Sequence, residues 1–269
     1  MHPRIEGIPV LFRDPSRIDA FGLLLALEPV DPLVALARGG PDGAPLAHLL
    51  EQLSAYLGTW ESGFEPLLEK LRALRRVDLS LELGCGTGRA LVELARTSGI
   101  AIGLDRSGTV LRVARRLLRG EELSYARRMA GREYLVASFR GEAAANAQLV
   151  CADALDAPFA PEVFDRVVAL NLLDNVPSPR ALLHHLHLLT APGGEIVLSS
   201  PFAWRDGIVE AGERLEGPDP ASALGEEMRK LGWKVEDSDE LAWTLRRDAR
   251  SASVYRVHYV RARKGQSRA

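Results

Sequence analysis

The sequence predicts an α/β fold: a seven-stranded, mostly parallel, doubly wound sheet with an N-terminal helical cap. Three observations predict it. From residue 77 onward, apolar strand-like runs alternate with amphipathic helix-like runs, the pattern of a parallel sheet covered on both faces. The first such run, carrying Val77, Leu79, Leu81 and Leu83, enters Gly84-Cys85-Gly86-Thr87-Gly88 and then a helix-compatible stretch. The next two strand-like runs each end in an acid, Asp105 and Asp153. A strand, a glycine turn and a helix N-terminus together build a nucleotide-sized pocket at the carboxyl edge of a parallel sheet.

The elements follow in order. Residues 1–14 are short and proline-bounded. Residues 17–76 read mostly helical, with Ile18, Phe21, Leu24 and Leu25, then Leu46, Leu49, Leu50, Leu53 and Leu57 at helical spacing on either side of the breaker run 39–45. A further helix, 65–75, leads into the sheet. This divides the chain into an extension and helical cap, 1–76, and an α/β domain, 77–269. Strands are expected at 77–83, 100–104, 149–152, 166–171, 195–199, 233–237 and 254–261, and helices at 88–97, 107–119, 179–190 and 221–231. Residues 120–146 are expected to form helix plus loop. The last two strands lack a long helix between them, which predicts a terminal antiparallel pair.

Composition narrows the function. An apolar fraction of 46% over 269 residues supports an ordinary core. A net charge of −2 gives no footprint for nucleic acid. Residues 1–9 show no leader, and no apolar run is long enough for a membrane span. Cys85 and Cys151 lack metal-ligand spacing with any Cys or His, which predicts a reduced, cytoplasmic setting and no metal. Arg112, Arg115, Arg116 and Arg119 read as a solvated helix face, and His184 and His187 as a solvated or core-lining one. The expected partner is a small molecule; oligomeric state is left open.

The glycine spacing selects among nucleotide ligands. A dinucleotide turn, G-x-G-x-x-G, needs a glycine at 89, where this chain has Arg89. The pattern is G-x-G-x-G, with Glu82 two residues ahead. Asp105 lies 17 residues past Gly88, near the ~20 expected of an acid that accepts from ribose hydroxyls. It also reads as a helix N-cap, and the two roles are compatible.

Glu82 with Gly84, Gly86 and Gly88 resembles the first motif of class I S-adenosylmethionine-dependent methyltransferases. The resemblance continues in order through residues 77–200. It implies a Rossmann-like methyltransferase fold, S-adenosyl-L-methionine as cofactor and methyl transfer to a small molecule. It implies cofactor contacts from Glu82, Gly84, Cys85, Gly86 and Gly88 in the first turn. Asp105 and Arg106 follow at the second strand end, then Asp153 and Ala154 beside the adenine. Asn171 and Leu172, after Phe164-Asp165-Arg166-Val167, lie beneath the methionine moiety. Asp153 as a turn cap, and Asn171 and Asn175 as turn formers, are the plainer readings of those residues.

A narrower likeness lies in Asn171–Pro179, Ser200–Trp204 and Leu241–Arg250. These segments resemble the methyltransferase domain of ovothiol-type biosynthesis, which methylates a ring nitrogen of a thiol-histidine. That family commonly carries Arg where this chain has Asn175, and Tyr where it has Phe202. The likeness implies an aromatic or heterocyclic acceptor. Asp174 and Asn175 are the catalytic candidates, with Asp174 the fallback base. Phe202, Trp204, Tyr56 and Trp60 are candidate substrate walls, each equally readable as a packing residue. The alternatives are a nicotinamide-dependent oxidoreductase and a non-catalytic S-adenosylmethionine-binding protein.

Overall fold

The computed structural model describes residues 3–12, 57, 60, 63–131, 133–215, 217, 219–246 and 248–266. Tyr56 and most of the expected helical cap lie outside them. A two-stranded ribbon, β1 (Arg4–Ile5) and β2 (Ile8–Pro9), comes first, then α1 (Glu65–Arg72). The α/β alternation follows as β3 (Val77–Leu83), α2 (Arg89–Arg96), β4 (Ser98–Asp105) and α3 (Gly108–Leu117). Next come β5 (Glu122–Ala130), β6 (Glu133–Arg140), β7 (Ala147–Cys151), β8 (Phe164–Leu170) and α4 (Pro179–Leu189). The chain ends with β9 (Thr190–Ser200), α5 (Pro220–Lys230), β10 (Trp233–Arg246) and β11 (Ala252–Lys264).

The main sheet has seven strands in the order β10-β11-β9-β8-β3-β4-β7. The five from β9 to β7 are parallel. β11 runs antiparallel to both β9 and β10, as the absence of a long helix between the last two strands predicts. The chain winds outward from β3 in both directions, so the switch point falls at the carboxyl end of β3, beside β8. One face packs Leu81, Leu83 and Val167 against Leu182 and Leu186 of α4 and Met228 of α5. The other packs Val168, Val197 and Tyr259 against Leu68 of α1 and Leu91 of α2.

The amino edge is locked by a buried ion pair. Arg166 and Glu195 are both wholly buried, with Arg166 Nη2 donating to Glu195 Oε1 at 2.7 Å and Nε donating at 2.9 Å. The same guanidinium donates to the Arg75 carbonyl at 2.5 Å and the Thr97 hydroxyl at 3.1 Å. It thus ties the chain entering β3 and the chain entering β4 to β8 and β9. Burial pulls this guanidinium down from its ordinary range, and the Glu195 carboxylate opposes that.

Two expectations need correction. Residues 120–146 do not form helix plus loop; β5 and β6 pair as an antiparallel hairpin, with Gly131 at φ +55° in its turn. Its Ala-, Arg- and Glu-rich composition favours helix, but Leu123 and Tyr125 on β5 and Tyr134 on β6 bury alternating apolar positions. The arginine series on α3 is only half solvated. Arg116 and Arg119 are exposed. Arg112 instead pairs with Glu6, and a Cβ on Gly7 would lie 3.1 Å from Arg115 Nη1, so the N-terminal ribbon covers them. That segment also reaches β7, where Leu11 N donates to Cys151 O at 2.8 Å. His187 lines the core, its ring edge-on to Trp233 at 5.4 Å.

Arg166→Leu is expected to cost about 3–5 kcal/mol, because the buried Glu195 would lose its hydrogen-bonded partner and keep only the more distant Arg261 and Arg263, each at 3.7 Å. Urea denaturation checks this.

Candidate functional site

The carboxyl edge gathers the sequence-predicted residues around the first turn. Gly84, Gly86 and Gly88 have φ of +72°, +53° and +82°, a region that side chains with a Cβ rarely enter. Space adds a second constraint at Gly84, where a Cβ would lie 2.9 Å from Leu172 Cδ1. The turn after β3 and the loop after β8 are therefore in contact at the switch point. Gly84 N and Cys85 N both donate to the Leu104 carbonyl, at 2.7 and 3.0 Å, so the turn leans onto β4.

Asp105 completes the turn. Its Oδ2 accepts from Gly86 N at 3.0 Å and its Oδ1 from Ser107 N at 2.9 Å. The N-cap of α3 is Ser107 itself, whose side chain accepts from Val110 N. Burial raises the Asp105 carboxyl above its usual range, and the amides of Ser107 and Gly86 oppose that. Glu82 lies close by, 3% exposed, with Oε2 buried and unpartnered. Burial first, then the charge of Asp105, holds its carboxyl well above the usual range. Burial likewise raises the Cys85 thiol. Cys85 and Cys151 are both free and buried.

The remaining predicted residues divide. Arg106 is exposed. Asp153 Oδ1 accepts from Leu155 N at 2.8 Å, capping the short turn Ala154–Asp156. Asn171 has φ +51°, a left-handed conformation that Asn tolerates. Its Oδ1 accepts from the Ser199 hydroxyl at 3.0 Å, and its carbonyl accepts from Asn175 Nδ2 at 2.8 Å. Asn175 is exposed and accepts from Arg205 through Oδ1. Asp174 is 3% exposed, takes the Ser200 hydroxyl at 3.4 Å, and is raised by burial. It ties the loop after β8 to that after β9. Phe202 has φ +51°, strained for so bulky a residue. Its N–H donates to Ser200 Oγ at 3.0 Å. Its ring lies 5.8 Å from Trp204 and stacks on His258 at 6.0 Å. Trp60 is drawn to the turn, with Nε1 donating to Thr87 Oγ1 at 3.0 Å.

Sequence reasoning missed Thr87, Ser199, Ser200 and the His258–Glu240 pair, joined at 2.7 Å. The two serines were visible as a polar doublet closing an apolar strand. The His258–Glu240 pair carries no local signal, because only the register of β10 on β11 brings it together. Among the described residues no group of three or more His, Cys, Asp or Glu could hold a metal ion. Among them, too, no helix is long and apolar enough to cross a membrane.

A family model described as a methyltransferase domain matches residues 81–198, the stretch from the carboxyl half of β3 through β9. A demethylmenaquinone methyltransferase of Clavibacter sepedonicus is 31% identical over 118 residues, 44% of this chain and 39% of that protein. A ubiquinone biosynthesis O-methyltransferase of Salmonella arizonae is 30% identical over 122 residues, covering 45% and 41%. The chain thus spans about two fifths of the length of these curated relatives. Solved structures share the fold. The partner of the Haloferax volcanii Trm112 methyltransferase activator superposes with a TM-score of 0.56 at 17% identity, over 81% of this chain and 98% of that one. The [4+2]-cyclase SpnF superposes with 0.52 at 16% identity, over 97% and 99%.

The cofactor of such a domain is S-adenosylmethionine. The residues present fit it: Glu82 offers a buried, unpartnered carboxyl oxygen, and the glycine turn presents backbone without side chains beside Asp105. Because the Glu82 carboxyl titrates higher in the folded than in the unfolded chain, the folded chain keeps a proton that the unfolded one releases. Stability falls as pH rises from the ordinary carboxylate range toward the raised value. Glu82→Gln removes that loss. In the absence of ligand, its gain in Tm over the native chain is expected to be larger at about pH 8 than at about pH 5; thermal melts at the two pH values check it.

Proposed function

We propose that this chain transfers the methyl group of S-adenosylmethionine to a small aromatic or heterocyclic acceptor. The observation that carries the proposal is the glycine turn of residues 84–88, tied to Asp105 and flanked by the unpartnered Glu82 carboxyl, inside a methyltransferase domain. When bound, the cofactor supplies a methyl group already activated on a sulfonium, so little covalent chemistry falls to side chains.

The chain's own residues bind and orient. Asp105 accepts from the ribose hydroxyls with the lone pairs that Gly86 and Ser107 leave free, since each carboxylate oxygen can accept twice. Glu82, Gly84, Cys85, Gly86 and Gly88 form the bed of the methionine end, with Arg106 at the rim. Ala154 N–H and Asp153 meet the adenine, Asp153 through the capacity left after capping Leu155. Leu172, packed on Gly84, and Asn171 hold the loop beneath the transferable methyl. In-line transfer needs the acceptor atom ~3–3.5 Å from that methyl.

The acceptor faces the loops after β8 and β9, with Phe202 and Trp204 as its planar wall. A thiol-histidine-like ring remains the narrower candidate within this class. The named activities of the two curated relatives, on quinone-pathway compounds, are compatible with a flat acceptor. Asp174 serves as a positioning residue, because its carboxyl is buried and holds Ser200. Asn175, exposed on the same loop, meets the acceptor with the amide capacity left after its bonds to the Asn171 carbonyl and Arg205. We assign the helical segment before β3 and the sheet domain from residue 77 as two parts of one catalytic unit.

Asp105→Ala is expected to weaken binding of S-adenosylhomocysteine by about tenfold or more, the loss of charge-assisted hydrogen bonds. Calorimetric titration measures it, and unchanged affinity contradicts the ribose assignment. Catalysis is tested by homocysteine release across phenol, quinol and imidazole acceptors. Binding without release for any of them points to a non-transferring role, which the cyclase sharing this fold makes a concrete alternative.

A further inference from the structure

Two β-hairpins project past the sheet's carboxyl edge and meet. β9 ends at Ser200, opposite His258, so residues 252–257 of β11 pair only with β10 and form a free arm. The β5–β6 hairpin is a second arm, packed along α3 through Leu117, Leu123 and Tyr125. Their ends touch, Ala249 N donating to Arg128 O at 3.2 Å.

Trp60, Gly63 and Phe64 contact both arms, at Phe139 of β6 and at Trp243 and Thr244 of β10. Trp60 lies 6.1 Å from Phe139 of β6. Thr244 N of β10 donates to Gly63 O at 3.2 Å, and a Cβ on Gly63 would lie 2.1 Å from Thr244 O. Phe64 meets Trp243 edge-on at 6.4 Å. The contacts therefore close a ring: Trp60 to β6, the β5–β6 end to the β10–β11 end, and β10 back to Gly63 and Phe64.

One side chain fastens this ring to the first turn. The Trp60 indole donates to Thr87 Oγ1, and Thr87 is 4% exposed between Gly86 and Gly88. The Arg89 guanidinium, the first residue of α2, lies 5.5 Å over the same indole ring. Arg89 is itself held by the wholly buried Glu93 at 3.1 Å. The turn proposed to hold the adenosyl ligand and the ring of arms thus share a hydrogen-bonded joint at Trp60 and Thr87.

We propose that Trp60 is a positioning residue: through its hydrogen bond to Thr87 it couples occupancy of the glycine turn to closure of the two-arm ring. This deepens the proposed function and rests on it. A ligand that orders residues 84–88 fixes the Thr87 hydroxyl, which fixes Trp60 and with it both arms. The arms must part for the ligand to exchange, and the Arg128–Ala249 and Gly63–Thr244 bonds are where they part.

The test uses the full chain with S-adenosylhomocysteine as probe, comparing the native protein with Trp60→Phe, Thr87→Val and Thr87→Ser. Phenylalanine keeps an aromatic ring and loses the N–H donor; valine keeps the shape and loses the acceptor; serine keeps the acceptor. Saturating probe is expected to slow amide exchange at Ala249 and Thr244 by about tenfold in the native chain and in Thr87→Ser. Trp60→Phe and Thr87→Val are each expected to weaken probe binding about fivefold and to abolish the slowing at saturation. The double variant should bind no more weakly than either single one. Slowing that persists in Trp60→Phe, or losses that add, overturns the coupling. A native chain that binds the probe with no slowing at Ala249 overturns the coupling alone. A native chain that does not bind it overturns the proposed function and the coupling together.

Discussion

The carboxylate of Asp105 joins the ends of two adjacent strands, and the rest of the site is arranged around that junction. By accepting from Gly86 and Ser107 it fixes the glycine turn after β3 and the entry to α3 in one geometry. The turn has no side chains of its own with which to hold that shape, and its positive φ values are costly unless something outside it holds them. A half-buried carboxylate accepting two backbone amides does so, because charge-assisted hydrogen bonds are stronger than neutral ones. Glu82 beside it gains no such partner. The fold therefore carries an uncompensated acid where a ligand would supply donors.

The opposite edge solves a different problem. Arg166 and Glu195 draw four chain segments together where the parallel strands begin. A buried pair of this kind adds little net stability compared with apolar packing. It does define register, because the guanidinium geometry admits few arrangements. With the amino edge locked, the loops at the carboxyl edge are free to specialise.

Those loops are joined by side-chain hydrogen bonds. Asn171 with Ser199, and Asp174 with Ser200, tie the segment after β8 to the segment after β9. Burial holds the Asp174 carboxyl above its usual range, and the Ser200 hydroxyl opposes that. The fold does not choose the reaction, since a methyltransferase partner and a [4+2]-cyclase share it. The choice rests with the residues at the carboxyl edge.

Much of this was legible in the sequence. The period of the apolar pattern located the strands of the main sheet and its flanking helices. Burial on both faces leaves a continuous apolar run in the parallel strands, whereas the mostly exposed edge strand β10 runs on to Arg246, well past the expected 233–237. The spacing of Gly84, Gly86 and Gly88 determined the turn, since few residues other than glycine accept such backbone angles. The acid at position 105 was marked by its place at a strand end. The β5–β6 hairpin was not legible, because helix-favouring Ala, Arg and Glu were overridden by packing against α3. Nor was the role of Trp60, which lies 27 residues from Thr87. Local pattern thus decided which elements form and where the turn lies. Only the tertiary structure decided which carboxyls are engaged, which arms meet and what touches the turn, because those contacts join residues far apart in the chain.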